Sequence, residues 1–350
     1  MTKKRTEKTA LVVTTIAPPN ENLERLARGC REHGYDFIVI GDEASPRDFH
    51  LEGCRFYSLE EQLNLDFKLS SLLPTRHYAR KNLGYLAAIR NGATVILETD
   101  DDNIPFPEYW HERSRHHSAG TVANTGWLNV YRYFSESDIW PRGFPLERVK
   151  DPVPPFDSLV AQDVDCPIQQ GLTNEDPDVD AIYRLVGQLP QSFRNDRRVA
   201  LGSGSWCPFN SQNTAWWKVA FALLYLPSYS SFRMTDIWRS FVAQRIAWSN
   251  DWAVLFHEPN GRQQRNKHNL LRDLTDEIPG YLNNAAIAEQ LGELPLTAGE
   301  DKLVGNLYVC YQKLIEMGII PSRELDLLEA WIADVCALLE TAVAAGSGEL

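Results

Sequence analysis

Asp100, Asp101 and Asp102 follow one another within Glu98-Thr99-Asp100-Asp101-Asp102-Asn103, directly after the apolar run Thr94 to Leu97. Three successive carboxylates repel one another, so a cation or solvent must relieve them. A hard divalent ion suits these donors. Mg²⁺ or Mn²⁺ takes one or two carboxylates and completes its shell with water and substrate phosphates. In a nucleotide-sugar reaction such an ion bridges the diphosphate and stabilises the charge that develops as the sugar leaves. If the segment is extended, Asp100 and Asp102 share a face and reach the ion, while Asp101 turns towards the ribose. A solvated acidic turn is the plainer account of the same residues.

Other side chains fit a nucleotide. Arg76, Arg80, Lys81 and Asn82 cluster upstream, where the three cations either offset a diphosphate or form a solvated helix face. Arg142, in Trp140-Pro141-Arg142-Gly143, is either a diphosphate or sugar-hydroxyl clamp or a structural arginine in a proline-rich loop. Asp178 and Asp180 follow Pro177 at a helix start, which favours capping over sugar binding. Gln169, Gln170, Asn210, Gln212 and Asn213 are amides of the kind that read hydroxyls by donor–acceptor pairs.

Alternating strands and helices would position these groups. Ala10 to Thr15 and Asp36 to Ile40 read as buried strands, with a helix between them that Asn20 caps and Gly34 closes. Ser58 and Glu61 form a capping-box pattern. Tyr78 to Asn91 reads as a helix, followed by the strand Thr94 to Leu97, and ligands in open α/β sheets bind beyond such strand ends. Trp140 to Asp157, with its prolines, is expected as an ordered surface-crossing loop. Later come the strand Val199 to Leu201, helices over Ala215 to Leu226 and Thr235 to Trp248, and the strand Trp252 to Phe256. From about Tyr281 the pattern is helical only, broken at Pro295 and Pro321. The result is an α/β fold whose mostly parallel sheet carries helices on both faces, with a C-terminal helical appendage.

Composition narrows the class. The 350 residues are 43% hydrophobic and 23% charged, an ordinary globular balance. A net charge of −12 argues against nucleic acid as a partner. No apolar stretch approaches the roughly 18 residues of a membrane span. The six cysteines show no CxxC spacing, so reduced cytoplasmic thiols are expected. Among ten tryptophans, Trp127, Trp140, Trp206, Trp216, Trp217 and Trp238 sit beside polar residues, as core side chains or as surfaces for sugar rings.

Five segments in order, YARKNLGYLAAIRNGATVILETDDDN, IWPRGFPLERV, IQQGLTNEDPDVDAIYR, PFNSQNT and TDIWRSFVAQRIAW, resemble the STELLO family of glycosyltransferases. A fainter similarity runs to the reversibly glycosylated polypeptides, which act as UDP-arabinopyranose mutases. The resemblance implies a GT-A-like, Rossmann-type mixed sheet flanked by helices over residues 1–265, with residues 266–350 as a helical extension. It implies a nucleotide-sugar donor (UDP- or GDP-linked), a saccharide or other hydroxyl acceptor, and Mn²⁺ or Mg²⁺ as cofactor. Plant members are Golgi membrane proteins linked to cellulose synthesis, and neither localisation nor partner is carried over to this chain.

On this reading Thr14, Thr15, Arg80, Lys81, Asp100, Asp101 and Arg142 hold the nucleotide. Asp100 and Asp102 hold the metal, together with His257, for which His268 competes. Asp236 is expected as the base of an inverting transfer, because GT-A enzymes often carry a carboxylate on such a helix. Otherwise it is a first-turn aspartate beside the cap Thr235. A nucleotide-sugar mutase and a non-catalytic GT-A-like scaffold are the alternatives.

Overall fold

The computed structural model describes residues 7–266 and 269–346, so His268 lies outside the described residues. The strands are β1 (Thr9–Thr14), β2 (Asp36–Ile40), β3 (Arg55–Tyr57), β4 (Val95–Thr99), β5 (Asn103–Pro105), β6 (His116–Val122), β7 (Gly126–Trp127), β8 (Val160–Glu175), β9 (Arg198–Leu201), β10 (Ser205–Trp206), β11 (Asn213–Trp217) and β12 (Trp252–Gln263). The helices are α1 (Glu21–His33), α2 (Leu59–Leu63), α3 (Lys81–Arg90), α4 (Ala181–Val186), α5 (Thr235–Trp248), α6 (Leu270–Gly292), α7 (Leu303–Glu316) and α8 (Glu324–Gly346).

Ten strands form one sheet in the order β3-β2-β1-β4-β11-β8-β6-β9-β12-β5, while β7 and β10 pair separately. The sheet is mixed. Strands β3, β2, β1 and β4 run parallel, but β11 lies antiparallel to both β4 and β8. The mostly parallel expectation therefore holds for the first four strands; beyond them the parallel pairs β6–β9 and β8–β12 alternate with antiparallel ones. Successive residues of β1 point to opposite faces. Leu11 and Val13 join α1 in one core cluster, while Ala10 and Val12 join α3, α5, α7 and α8 in the larger one.

Local signals set several elements. Asn20 accepts the Leu23 N–H at the start of α1, and Gly34 closes the helix at φ 69°. Ser58 and Glu61 complete a reciprocal capping box on α2. Gly84 lets α3 lie against β1 and β2, since a Cβ there would stand 2.5 Å from Val12 Cγ1. That close approach brings Arg80 and Lys81, at the head of α3, beside the carboxyl ends of the parallel strands.

Three expectations are corrected. Ala215 to Leu226 is not a helix: its first residues belong to β11, and Lys218–Leu224 is a 3-10 turn. The run is buried on both sides, and such a strand has no periodicity to separate it from a buried helix. Strand β12 runs on to Gln263, past irregular pairing between His257 and Gly261. The helical region begins at Leu270, with Pro279 inside α6. Among the described residues no helix is long and apolar enough to cross a membrane.

Candidate active site

A cleft of about 810 Å³ opens beyond the carboxyl ends of β1, β2 and β4. It is lined by Thr14, Thr15, Arg80, Asp100, Asp101, Asp102, Arg142 and Asp236, which come together from five separate parts of the chain. The expected binding groups thus share one cavity, apart from Lys81 and His257.

The acidic segment is a turn, not an extended strand: Asn103 N donates to Asp100 O at 3.3 Å. Face-sharing by alternation therefore fails as the reason for its geometry, yet all three carboxylates reach the cleft. Asp101 accepts the Thr15 hydroxyl at 2.5 Å. Asp102 is buried and accepts Gln263 Nε2 on one oxygen at 2.9 Å and Asn266 N on the other at 3.3 Å. Asp100 is the open one, with 40% of its side chain exposed. Burial among protein atoms on its other sides, with Asp102, Asp101 and Asp236 adding to it and Lys81 opposing, pushes the Asp100 carboxyl up to about 7. Burial raises Asp101 as well, against the hydrogen bond from Thr15.

These oxygens fit a hard cation held jointly with a diphosphate. Asp100 is accessible, Asp102 keeps spare lone pairs, and a divalent charge would offset both the burial and the carboxylate repulsion that raise Asp100. Among the described residues no group of three or more His, Cys, Asp or Glu side chains is placed to hold a metal ion. A site here would therefore rest on the two carboxylates and on substrate. His257 is not brought to them. It stands six residues before Gln263 on β12, somewhat under roughly 20 Å at the rise of a strand, and its Nδ1 meets the Glu258 carbonyl at 2.8 Å.

The cations divide by their partners. Lys81 is wholly buried: its Nζ donates to Thr99 O at 3.0 Å and lies 3.7 Å from Asp100, so it supports the acidic turn from beneath. Arg80 lines the cleft but is held by neutral groups, Gln62 Oε1 at 2.7 Å and Leu73 O at 3.0 Å. Its Nη2 is buried without a partner, and no carboxylate lies within ion-pair distance of it among the described residues. Arg76 has a positive φ of 58° and pairs with Glu43 at 2.7 Å on the exposed rim.

Arg142 joins two carboxylates. It makes paired hydrogen bonds to Asp178 and to Asp236, and also donates to Arg233 O. Asp236 accepts in addition from Ser211 N at 3.1 Å and from the Tyr78 hydroxyl at 3.1 Å. Burial alone would raise the Asp236 carboxyl. Arg142, the more distant charge of Arg239 and the Ser211 N–H outweigh it and hold that carboxyl well below the usual carboxylate range.

Under this wall lies a pair that spacing does not reveal. Glu98, in β4, takes both terminal nitrogens of Arg239, at 2.7 and 3.0 Å, along with the Tyr85 hydroxyl and Trp216 Nε1. Arg239 lies three residues after Asp236 on α5, so this pair fixes Asp236 relative to the acidic turn. An acidic residue inside the apolar strand TVILE was the available signal. Asp180 caps α4 through Tyr183 N, as its position after Pro177 indicated. Of the five amides only Gln212 lines the cleft; Gln170 is spent on Gly171 O, Asn213 O and Asn210 N. No tryptophan lines the cleft either: Trp216 and Trp238 are core, and the exposed aromatic ring in the cavity is Phe232.

Over residues 233–341 the chain matches the family model described as STELLO glycosyltransferases. That span starts in the cleft wall at Arg233 and takes in Asp236 and α5 to α7. The chain is 31% identical over 283 residues to the probable glycosyltransferase STELLO2 of Arabidopsis thaliana, covering 73% of this chain. It is 29% identical over 281 residues to the probable glycosyltransferase STELLO1 of the same plant, covering 72%. The matched region spans 35% of the length of each relative.

Proposed function

The chain belongs to the STELLO family over the length it shares with these relatives, and we propose that it is a glycosyltransferase moving a sugar from a UDP- or GDP-sugar to a hydroxyl acceptor, a saccharide foremost. The observation that carries this reading is the placement of Asp100, Asp101 and Asp102 at a strand end, across one cleft from Asp236. A cavity of about 810 Å³ has the size of a small-molecule site.

A divalent cation on Asp100 and Asp102 would take the diphosphate and stabilise the leaving phosphate. The protein's own groups do the rest. Thr15 holds Asp101 in place for the nucleotide, with Thr14 beside it. Arg80 faces the diphosphate with a guanidinium that forms no ion pair among the described residues, and Lys81 steadies Asp100 from below. Asp236 is the group to accept the acceptor's proton, under one condition. While Arg142 holds both of its oxygens it is a poor base. A diphosphate that draws Arg142 towards itself, leaving it on Asp178, restores an open oxygen and basicity to Asp236.

The test is release of UDP or GDP from a panel of sugar nucleotides with Mn²⁺, with and without methyl glycosides as acceptors. Release that rises with an acceptor supports transfer. Absence of any nucleotide binding overturns the reading.

A further inference from the structure

Phe232 leaves 47% of its surface exposed, and it does so inside the cleft. Single exposed apolar residues are ordinary on a protein surface. This one forms a ledge on two other rings. Its ring meets His77 and Tyr78 at centroid distances of 5.3 and 5.0 Å, steeply inclined to both, and those two rings stack on each other at 5.5 Å. Three further contacts immobilise the support. His77 N donates to Asp42 at 3.0 Å, His77 Nδ1 accepts Ala79 N at 3.0 Å, and the Tyr78 hydroxyl donates to Asp236 at 3.1 Å. The ledge is thus tied to the carboxylate wall, and Phe232 stands four residues before Asp236 on the turn into α5.

A half-exposed aromatic ring packed on two others beside polar walls suits a ligand with one apolar and one hydroxyl-bearing face. A pyranose ring has that form: its axial C–H groups pack on an aromatic face while its hydroxyls meet carboxylates and guanidinium groups. A nucleobase also has a flat face to stack. The bond from Tyr78 to Asp236 places the ledge at the proton-accepting side, which favours the acceptor.

We propose that Phe232 is the floor of an acceptor subsite that takes one pyranose ring of a saccharide. This rests on the glycosyl-transfer reading above.

Saturation-transfer NMR on the full chain, with methyl glycosides and short oligosaccharides as probes, tests it alongside calorimetry of UDP with MnCl₂. Phe232→Leu keeps an apolar side chain and loses the ring; Phe232→Trp keeps an aromatic face. The expected result is saccharide binding weakened about five- to tenfold in Phe232→Leu and recovered in Phe232→Trp, with UDP affinity unchanged in both. If UDP affinity falls while saccharide contact persists, the ring serves the nucleobase and the proposal is overturned. Unchanged saccharide binding in Phe232→Leu, or no saccharide contact in the parent protein, overturns it equally. Failure of the parent to bind UDP or GDP would instead remove the transferase reading, a separate and distinguishable outcome.

Discussion

Arg142 meets Asp236 as a two-pronged pair, with Nη1 3.0 Å from Oδ1 and Nη2 2.9 Å from Oδ2. The same guanidinium meets Asp178 at 2.8 Å on each oxygen. One guanidinium therefore bridges two buried carboxylates beside the acidic turn, with Arg233 and Arg265 also lining the cleft.

Replacing Arg142 by Met should leave both Asp178 and Asp236 buried and unpaired. Breaking a buried pair in this way costs about 3–5 kcal/mol, far more than loss of an exposed salt bridge. Urea unfolding measures the difference. A loss below about 1 kcal/mol would place these carboxylates in contact with solvent, contrary to their burial.

Asp180 supplies the pH dependence. Burial, opposed by the hydrogen bonds of Tyr183 N and Trp140 Nε1, pushes its carboxyl up to about 6 from an ordinary 3.8. The folded state thus holds the proton more tightly than the unfolded one. Its contribution is fully present below about pH 4 and is lost as pH rises through about 6, by at most about 3 kcal/mol. Asp180→Asn cannot ionise. Thermal melts from pH 4 to 7 should show the gap between mutant and parent changing across that window and flat above it. A gap constant with pH would mean that Asp180 titrates normally.

Much of this fold was legible because its signals are local. The Asn20 cap, the Gly34 stop and the Ser58–Glu61 box each act within one turn, and α5 was delimited at Thr235–Trp248 by its own residues. The acidic turn was legible for the same reason, since it directly follows a buried strand. The Arg142 bridge was not, because its partners stand 36 and 94 residues away. Nothing in the spacing of Arg142 distinguishes a phosphate clamp from a carboxylate bridge. His257 was misplaced for a related reason: the strand that ended at Phe256 in the sequence continues to Gln263, and it is Gln263 that reaches Asp102.

The carboxylates at the strand end predict cation-dependent nucleotide binding. UDP or GDP affinity measured by calorimetry should fall at least tenfold when MnCl₂ is replaced by EDTA, and Asp100→Asn should remove most of that difference. Asn keeps the size of the side chain and the Lys81 contact region while lacking the charge. Equal affinity in EDTA would leave the acidic turn a solvated loop.

Glycosyl transfer to a hydroxyl releases a proton that some group must take. If Asp236 accepts it once Arg142 has turned to the diphosphate, Asp236→Asn should lower turnover by about 10²–10⁴-fold, the usual yield of a positioned general base. The donor's apparent affinity should hardly change, which marks an interaction made chiefly in the transition state. The substitution also removes one of the two carboxylates facing Arg142, so unfolding must be measured alongside the rate. A residue that only anchors the wall would lose stability and keep its rate. The two roles therefore separate on different axes, kcat against unfolding free energy. Arg142→Lys sharpens the distinction: it keeps the charge but loses the paired geometry. It should raise the donor's KM if the guanidinium engages diphosphate. Should Asp236→Asn turn over within about threefold of the parent, the base lies elsewhere and Asp236 serves to position Arg142.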